Sequence, residues 1–301
     1  MDNRETKTRW GVERRLEFIE FRLFWEGGVN RSDIVSAFGV SVPQASKDLT
    51  LYQERAPQNA IYDKSAKRYI AGPHFKPLFH QADPDVYLQR LRARAEGLAD
   101  AESSWIGKMP ATDMALTPHR SVSGAVLRAL LRAIQEHLSV EVLYQSMNDK
   151  RPDPEWRRIT PHSLANDGFR WHARAYCHID GRFKDFLLPR VFETRGFGQP
   201  GLPVDEDRLW QETYELVVGP HPKLTGRQRA GVEKDYGMKD GRLSLSTRKA
   251  MLFYVLKRLG LLRDAMDENP HEQHIVDLER ERTARELTEL GISFEGSTRR
   301  K

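Results

Sequence analysis

Strict alternation of apolar and polar side chains runs through residues 169–180, FRWHARAYCHID. Successive side chains of a β-strand point to opposite faces, so this pattern predicts a half-buried strand with one apolar face. The other face would carry five polar side chains, Arg170, His172, Arg174, Tyr176 and His178. They form a dense set of hydrogen-bond donors, and the arginine fork matches phosphate or carboxylate. The pattern favours an anion-binding surface, while a solvated face or a dimer contact stays open.

Composition limits the class of protein. The chain has 301 residues, enough for two or three domains, with 48 basic against 43 acidic residues and a net charge of +5. Because this excess is small, any strongly basic surface must be local. The single cysteine, Cys177, excludes an internal disulfide framework. A charged N-terminus and the lack of a long apolar run argue against a signal peptide or a membrane span. We expect a cytoplasmic protein.

A helix-turn-helix pattern occupies residues 31–53. A short helix is predicted over 31–38, and Gly39 suits the left-handed conformation of a turn. Ser41 is a good N-cap for a second helix over 43–53, whose first residue, Pro43, needs no N–H hydrogen bond there. In DNA-binding proteins of this type, the N-terminal end of the second helix enters the major groove.

A basic hairpin is predicted directly after the helix pair. The sequence NAIYDKSAKRYIAG, residues 59–72, places a polar turn at 63–66 between two short apolar runs. Such a wing typically contacts backbone phosphates. The predicted DNA contacts of the whole region are Arg31, Ser41, Gln44, Ser46, Lys47, Lys64, Lys67 and Arg68. A solvated helical pair, or a winged helix used for protein docking, stays open.

The rest of the chain alternates between helical and strand-like patterns. A helix is predicted over 84–99, and an irregular linker over 104–120 follows it. Further helices are predicted over 121–138, 225–235 and 249–262, and strands over 139–147, 155–160, 169–179, 184–192, 213–218 and 242–246.

The sequence has only weak matches to dinucleotide-binding, metal-binding and catalytic motifs. GFGQPG, residues 196–201, matches a dinucleotide fingerprint, but Pro200 and the acidic run behind it argue against the helix that the motif requires. HEQH, residues 271–274, lacks the further ligands of a metal site. No nucleophile, base and acid stand at a recognisable spacing. We therefore predict no catalytic residue, no metal and no cofactor, and a protein that is not an enzyme.

Residues 144–191 resemble a WYL domain. The stretches EVLYQSM, RRITPHSLANDGFRWHARAYC and FKDFLLPRVFE follow the order of that family's strands, and Phe186, Leu188 and Arg190 match its closing strand. The naming tripeptide departs from the family, because Trp171, His172 and Ala173 replace Trp-Tyr-Leu. The replacement of Tyr by His changes which side chains would face the pocket of such a domain.

The whole chain is similar to WYL-domain transcriptional regulators, and most similar to the repressors found beside BREX- and CBASS-type phage-defence operons. That resemblance implies an α+β multidomain fold. Its expected parts are a winged helix-turn-helix domain over 1–103, the linker over 104–120, an Sm-like β-barrel WYL domain over 121–200 and a C-terminal α/β dimerisation domain over 201–301.

The resemblance also implies a function. The expected protein is a homodimeric repressor that binds an inverted repeat in double-stranded DNA and responds to an anionic nucleotide or oligonucleotide effector. Carried over by position, the ligand-binding candidates are Tyr144, Ser146, His162, His172, Arg174 and Arg190. Two alternatives stay open: a nucleic-acid-processing enzyme that uses the winged helix for targeting, and a scaffold whose polar strand face binds another protein.

Overall fold

Two units, Met1–Leu116 and Thr117–Lys301, make up the chain in this computed structural model. The structure describes residues 3–115, 118, 120–147 and 152–290. Among these residues, no helix combines the length and the apolar character that crossing a bilayer demands.

The first unit has one long helix, followed by the predicted helix, turn, helix and hairpin. Its elements are α1 (Asn3–Glu26), β1 (Gly28–Val29), α2 (Arg31–Phe38), α3 (Val42–Arg55), β2 (Ala60–Asp63), β3 (Arg68–Ala71), α4 (Pro84–Ala95) and α5 (Ala101–Ser104). The strands form an antiparallel sheet in the order β1-β3-β2. The predicted helix over 31–38 and the predicted hairpin are confirmed.

The core of the first unit forms around α1. Leu16, Ile19 and Leu23 are fully buried, as their helical spacing requires. Trp105 and Ile106 also pack into this core. The predicted linker over 104–120 therefore starts with residues of the packed unit, and the domain boundaries themselves stay a prediction.

Glu20 is a fully buried residue of α1 whose carboxylate binds the irregular segment 78–80. One of its oxygens accepts hydrogen bonds from the backbone N–H groups of Leu78, Phe79 and His80, at 2.8, 2.6 and 2.6 Å. The other accepts the hydroxyl of Tyr52 in α3, at 2.9 Å. These bonds satisfy a charge that would otherwise be costly to bury.

The second unit begins with α6 (Gly124–Gln135) and a five-stranded antiparallel sheet. The strands are β4 (Ser139–Tyr144), β5 (Glu155–Asn166), β6 (Trp171–Cys177), β7 (Arg182–Leu187) and β8 (Val191–Gly198). Their order is β7-β6-β5-β4-β8, so the last strand lies beside the first. No pairing between β7 and β8 closes this sheet among the described residues. The Sm-like barrel therefore stays a prediction.

The last third of the chain has a core of its own. Its elements are α7 (Arg208–Gln211), β9 (Thr213–Pro220), α8 (Gly226–Asp235), β10 (Leu243–Arg248), α9 (Lys249–Arg258), β11 (Ile275–Asp277) and α10 (Arg280–Glu289). The sheet order is β10-β9-β11. Leu216 and Val218 of β9 pack against Leu252 and Leu256 of α9. The four elements predicted here are present, whereas β11 and α10 were not predicted.

The interpretation of β6 as a half-buried strand is wrong. Ala173, Ala175 and Cys177 are buried as predicted, but Trp171 at the start of this apolar face is 52% exposed. On the polar face, His172 and Arg174 are only 4% and 5% exposed. Chain segments that are distant in sequence cover this face, and alternation within one strand carries no information about them.

Candidate DNA-binding and ligand-binding sites

Local capping sets the geometry of the helix-turn-helix. Asn30 and Asp33 form a reciprocal capping box at the start of α2. Gly39 ends this helix with φ of 62°, in the left-handed region that glycine adopts without strain. The hydroxyl of Ser41 accepts the backbone N–H of Gln44 at 3.3 Å and so begins α3. The predicted roles of Gly39 and Ser41 are confirmed.

Polar side chains line the exposed N-terminal half of α3. Lys47 is exposed, and Gln44 and Ser46 are partly exposed. The buried carboxylate of Asp48 orients Gln44, because it accepts the Gln44 amide at 3.0 Å and Arg15 Nε at 2.6 Å. Gln44 keeps one amide hydrogen and its carbonyl oxygen, the pair that reads adenine in the major groove.

The hairpin presents two of its three basic residues to solvent. Asp63 orders the turn by accepting the backbone N–H groups of Ser65 and Ala66, at 2.8 and 3.0 Å. Lys64 and Lys67 are exposed on this turn, and Arg31 is exposed at the start of α2.

Arg68 has a different placement. It packs over Gly28, where an added Cβ would collide with its guanidinium, and it donates to the backbone carbonyl of Glu26 at 3.4 Å. Arg68 thus attaches the hairpin to the preceding segment, and this placement does not favour the predicted phosphate contact.

The polar face of β6 is an internal ion-pair network. Arg174 donates two hydrogen bonds to Asp207, at 2.7 and 3.0 Å, and a third to Asp185, at 3.1 Å. Burial alone would lower the pKa of Arg174, but these carboxylates raise it. An anionic ligand at Arg174 would have to displace Asp207.

The two predicted histidines also have carboxylate partners. His162 Nε2 lies 3.1 Å from Asp207, and His172 Nε2 lies 3.2 Å from Asp167. Burial opposes ionisation of Asp207, but hydrogen bonds from His162 and Arg174 outweigh it and lower its pKa to about 2. For Asp167, burial is likewise outweighed, here by the backbone N–H of Phe169 and by Arg170, and its pKa lies well below the usual range.

The remaining ligand-binding candidates lie elsewhere in the sheet. Tyr144 is buried, with its ring against Phe186 and its hydroxyl accepting the backbone N–H of Leu187 at 3.2 Å. Arg190 is half-buried between β7 and β8, where its carbonyl accepts the N–H of Gln145. Ser146 lies two residues after the end of β4 and is partly exposed.

Two cavities adjoin the network in the second unit. The larger, about 600 Å³, is lined by Arg174, Asp207 and residues of β7 and α9. The smaller, about 370 Å³, is lined by Pro118, Arg120, Asp167, Phe169, Arg170, Tyr254, Lys257 and Arg258. Of the six predicted ligand-binding residues, only Arg174 lines either cavity. As a set, the six stay a prediction.

Family models match three successive parts of the chain. Residues 11–93 match the BrxR transcriptional regulator winged helix-turn-helix domain. Residues 125–195 match the WYL domain. Residues 213–283 match the BrxR transcriptional regulator C-terminal dimerization domain. The chain is a WYL-domain transcriptional regulator.

Curated relatives place the chain more closely within the WYL-domain regulators. It is 41% identical over 279 residues to the DNA-binding transcriptional repressor CapW of Stenotrophomonas maltophilia, which covers 90% of each chain. CapW proteins of Pseudomonas aeruginosa and Escherichia coli (strain KTE188) are 40% and 39% identical, each over 87% of both chains. These relatives are named as repressors and not as enzymes, which agrees with the prediction that the chain is a regulator.

The partners of the β6 face are residues that no pattern in the sequence indicated. Asp167, Asp185, Asp207 and Tyr254 complete the network. Asp167 and Asp185 lie within the WYL-like stretches but match no named position there, and Asp207 and Tyr254 lie outside those stretches. Asp207 carries one local signal, since its side chain caps α7 by accepting the N–H of Trp210. That signal identifies a helix start, but it does not indicate Arg174 as a partner 33 residues away.

Proposed function

We propose that the chain is a cytoplasmic, homodimeric DNA-binding repressor of a phage-defence operon. The observation that carries this proposal is the exposed N-terminal half of α3, held by caps at both ends of the turn and followed by a hairpin with exposed lysines. The relatives named as DNA-binding repressors and the match to a dimerization domain support it.

The proposed DNA contacts divide into two kinds. Gln44 and Lys47 reach base edges in the major groove, and Ser41, Ser46 and Arg31 contact base edges or nearby phosphates. Lys64 and Lys67 contact phosphates, which contributes affinity without sequence preference. Two copies of α3 in a dimer would enter successive major grooves about 34 Å apart on an inverted repeat.

An anionic effector controls the proposed repressor through its second unit. To regulate, the effector must bind the DNA-bound and released conformations with different affinity. A tenfold change in operator affinity needs a coupling of only about 1.4 kcal/mol. The six ligand-binding candidates of the sequence analysis belong to this proposal, although the carboxylate partners of Arg174 and His172 favour a structural role for both.

A footprint of the protein on the DNA upstream of its own gene tests this function. We expect a protected inverted repeat with wild type and its loss when Gln44 and Lys47 are both changed to Ala. Lys108→Ala is the control, because it removes an exposed charge of the same unit outside the helix-turn-helix and the hairpin. Strand breaks with Mg²⁺ present, instead of protection, would support the enzyme alternative. Equal protection by all three proteins would contradict the assignment of α3.

A further inference from the structure

We propose that the smaller cavity of the second unit, named here the α9 cavity, binds a nucleoside diphosphate. This inference rests on the effector-controlled function proposed above, gives the effector a chemical class, and places it at residues other than the six candidates carried over from the family. The cavity has a volume of about 370 Å³ and is lined by eight described residues. Such a volume lies in the range of small-molecule pockets and suits one nucleotide better than an extended strand.

Charge distinguishes the α9 cavity from the network beside it. Its lining has four basic side chains, Arg120, Arg170, Lys257 and Arg258, and one carboxylate, Asp167. Asp167 already accepts hydrogen bonds from Arg170 and His172. Within the described part of the chain, Arg120, Lys257 and Arg258 form no ion pair with a carboxylate. The cavity therefore carries uncompensated positive charge, which attracts phosphate.

Gly168 gives Arg258 its position. This glycine has φ of 94°, and a Cβ added to it would lie 2.7 Å from Nη1, 2.8 Å from Cζ and 2.9 Å from Nε of Arg258. The guanidinium of Arg258 in α9 thus lies against the backbone of the turn before β6. Only glycine at position 168 allows this approach, because it has no Cβ. The turn itself is ordered, because Asp167 accepts the backbone N–H groups of Phe169 and Arg170 at 2.9 and 2.7 Å. Among the residues that the structure describes, no carboxylate pairs with this guanidinium.

Aromatic rings accompany these charges. Phe169 is 65% exposed although it stands in an ordered turn. Tyr254, one helical turn before Arg258, has its ring 5.0 Å from that of His172 and donates its hydroxyl to Asp185 at 3.1 Å. A base can stack on such rings while its phosphates reach the arginines, as in other nucleotide sites. The combination points to a nucleotide and not to an inorganic anion.

The lining also joins three parts of the sequence. Asp167 to Arg170 belong to the WYL match, Tyr254 to Arg258 belong to the dimerization-domain match, and Arg120 precedes the WYL match along the chain. A bound diphosphate would draw these three segments together. Because one of them leads to the winged helix and another belongs to the dimerization domain, the site is placed to couple effector binding to DNA binding.

Calorimetric titration of the full-length protein with ADP tests the site. Wild type should bind ADP more tightly than pyrophosphate. The double variant Lys257→Gln/Arg258→Gln should lose at least about tenfold in ADP affinity, because it removes two charge-assisted contacts. Arg227→Gln is the matched control, since Arg227 is exposed on α8 and the change removes the same charge. Arg258→Lys keeps the charge but not the fork, and should give an intermediate loss.

Several results would overturn the site. They are ADP affinity that is equal in wild type and the double variant, pyrophosphate binding as tight as ADP binding, or binding of an oligothymidylate of about ten nucleotides but not of ADP. Thermal unfolding confirms that each variant is folded. The footprint of the wild type distinguishes failure of this inference from failure of the proposed function. If the operator is protected but ADP does not bind, only this inference is contradicted. If no operator is protected, the proposed function is contradicted.

Discussion

Arg174 and Arg258 lie in adjoining parts of the second unit, yet their surroundings are opposite. Arg174 is 5% exposed, and two carboxylates accept hydrogen bonds from its guanidinium. Arg258 is exposed, lies against a glycine and has no carboxylate partner among the described residues. Tyr254 lines both the α9 cavity and the larger cavity beside Arg174. The partners of an arginine, and not its residue type, therefore decide whether it stabilises the fold or is available to a ligand.

Removing the partner of Arg174 should have the largest effect. Asp207→Ala removes two of the three hydrogen bonds that the buried guanidinium of Arg174 donates to carboxylates and leaves only the bond to Asp185. We expect a loss of about 3–5 kcal/mol in the free energy of unfolding, because a buried charge loses its main partner. Urea denaturation measures it. Glu206→Ala removes the exposed carboxylate that precedes Asp207 and should change the free energy of unfolding by less than about 0.5 kcal/mol. Equal effects of the two variants would mean that the network contributes no stability.

Acid should weaken the same network. The pKa of Asp207 is about 2 in the folded protein, against about 3.9 in an unfolded chain. The folded state thus binds this proton more weakly, so the stabilisation is complete above about pH 5 and is lost as the pH falls towards 2. Between pH 5 and pH 2, the free energy of unfolding should fall by roughly 2 kcal/mol more in wild type than in Asp207→Asn. Urea denaturation at both pH values measures this difference. Parallel losses in the two proteins would contradict the assignment.

The hairpin allows the same comparison on adjacent residues. Lys67 is exposed, whereas Arg68 packs over Gly28. Changing Lys64 and Lys67 to Ala should weaken binding to all DNA sequences and reduce the slope of log affinity against log salt by about 2. Arg68→Ala should instead lower thermal stability with little change in that slope. Fluorescence anisotropy over a salt series measures the slopes, and a larger change for Arg68→Ala would reverse the two assignments.

Arg258 should show the smallest effect on stability. Arg258→Gln breaks no ion pair with a described residue, so we expect a change of less than about 0.5 kcal/mol in the free energy of unfolding. Arg174→Gln, the same substitution in the buried network, should cost several times more. If Arg258→Gln destabilised the protein as much as Arg174→Gln, Arg258 would be a structural residue.

How much the sequence predicts depends on the distance between interacting residues. The turn at Gly39 and the cap at Ser41 were predictable, because their partners lie within four residues along the chain. The role of Arg174 was not, because Asp207 comes 33 residues later in an irregular segment. Alternation showed that a polar face exists, but only the tertiary structure shows that carboxylates cover it.

The α9 cavity escaped sequence analysis for the same reason. Its charges come from the turn before β6, from α9 and from the segment before α6, and none of these is a motif alone. In the sequence, Arg170 stands out only as part of the alternating face, and residues 249–262 only as a predicted helix. The approach of Arg258 to Gly168 is a tertiary contact between residues 90 positions apart.

An anion bound by the basic side chains of the α9 cavity should change the affinity of the first unit for DNA. Fluorescence anisotropy tests this coupling, with a labelled operator titrated with wild type in the presence and absence of ADP. We expect ADP to change the operator affinity of wild type by about tenfold or more, and to leave the affinity of Lys257→Gln/Arg258→Gln unchanged. An equal response to ADP in both proteins would contradict the account.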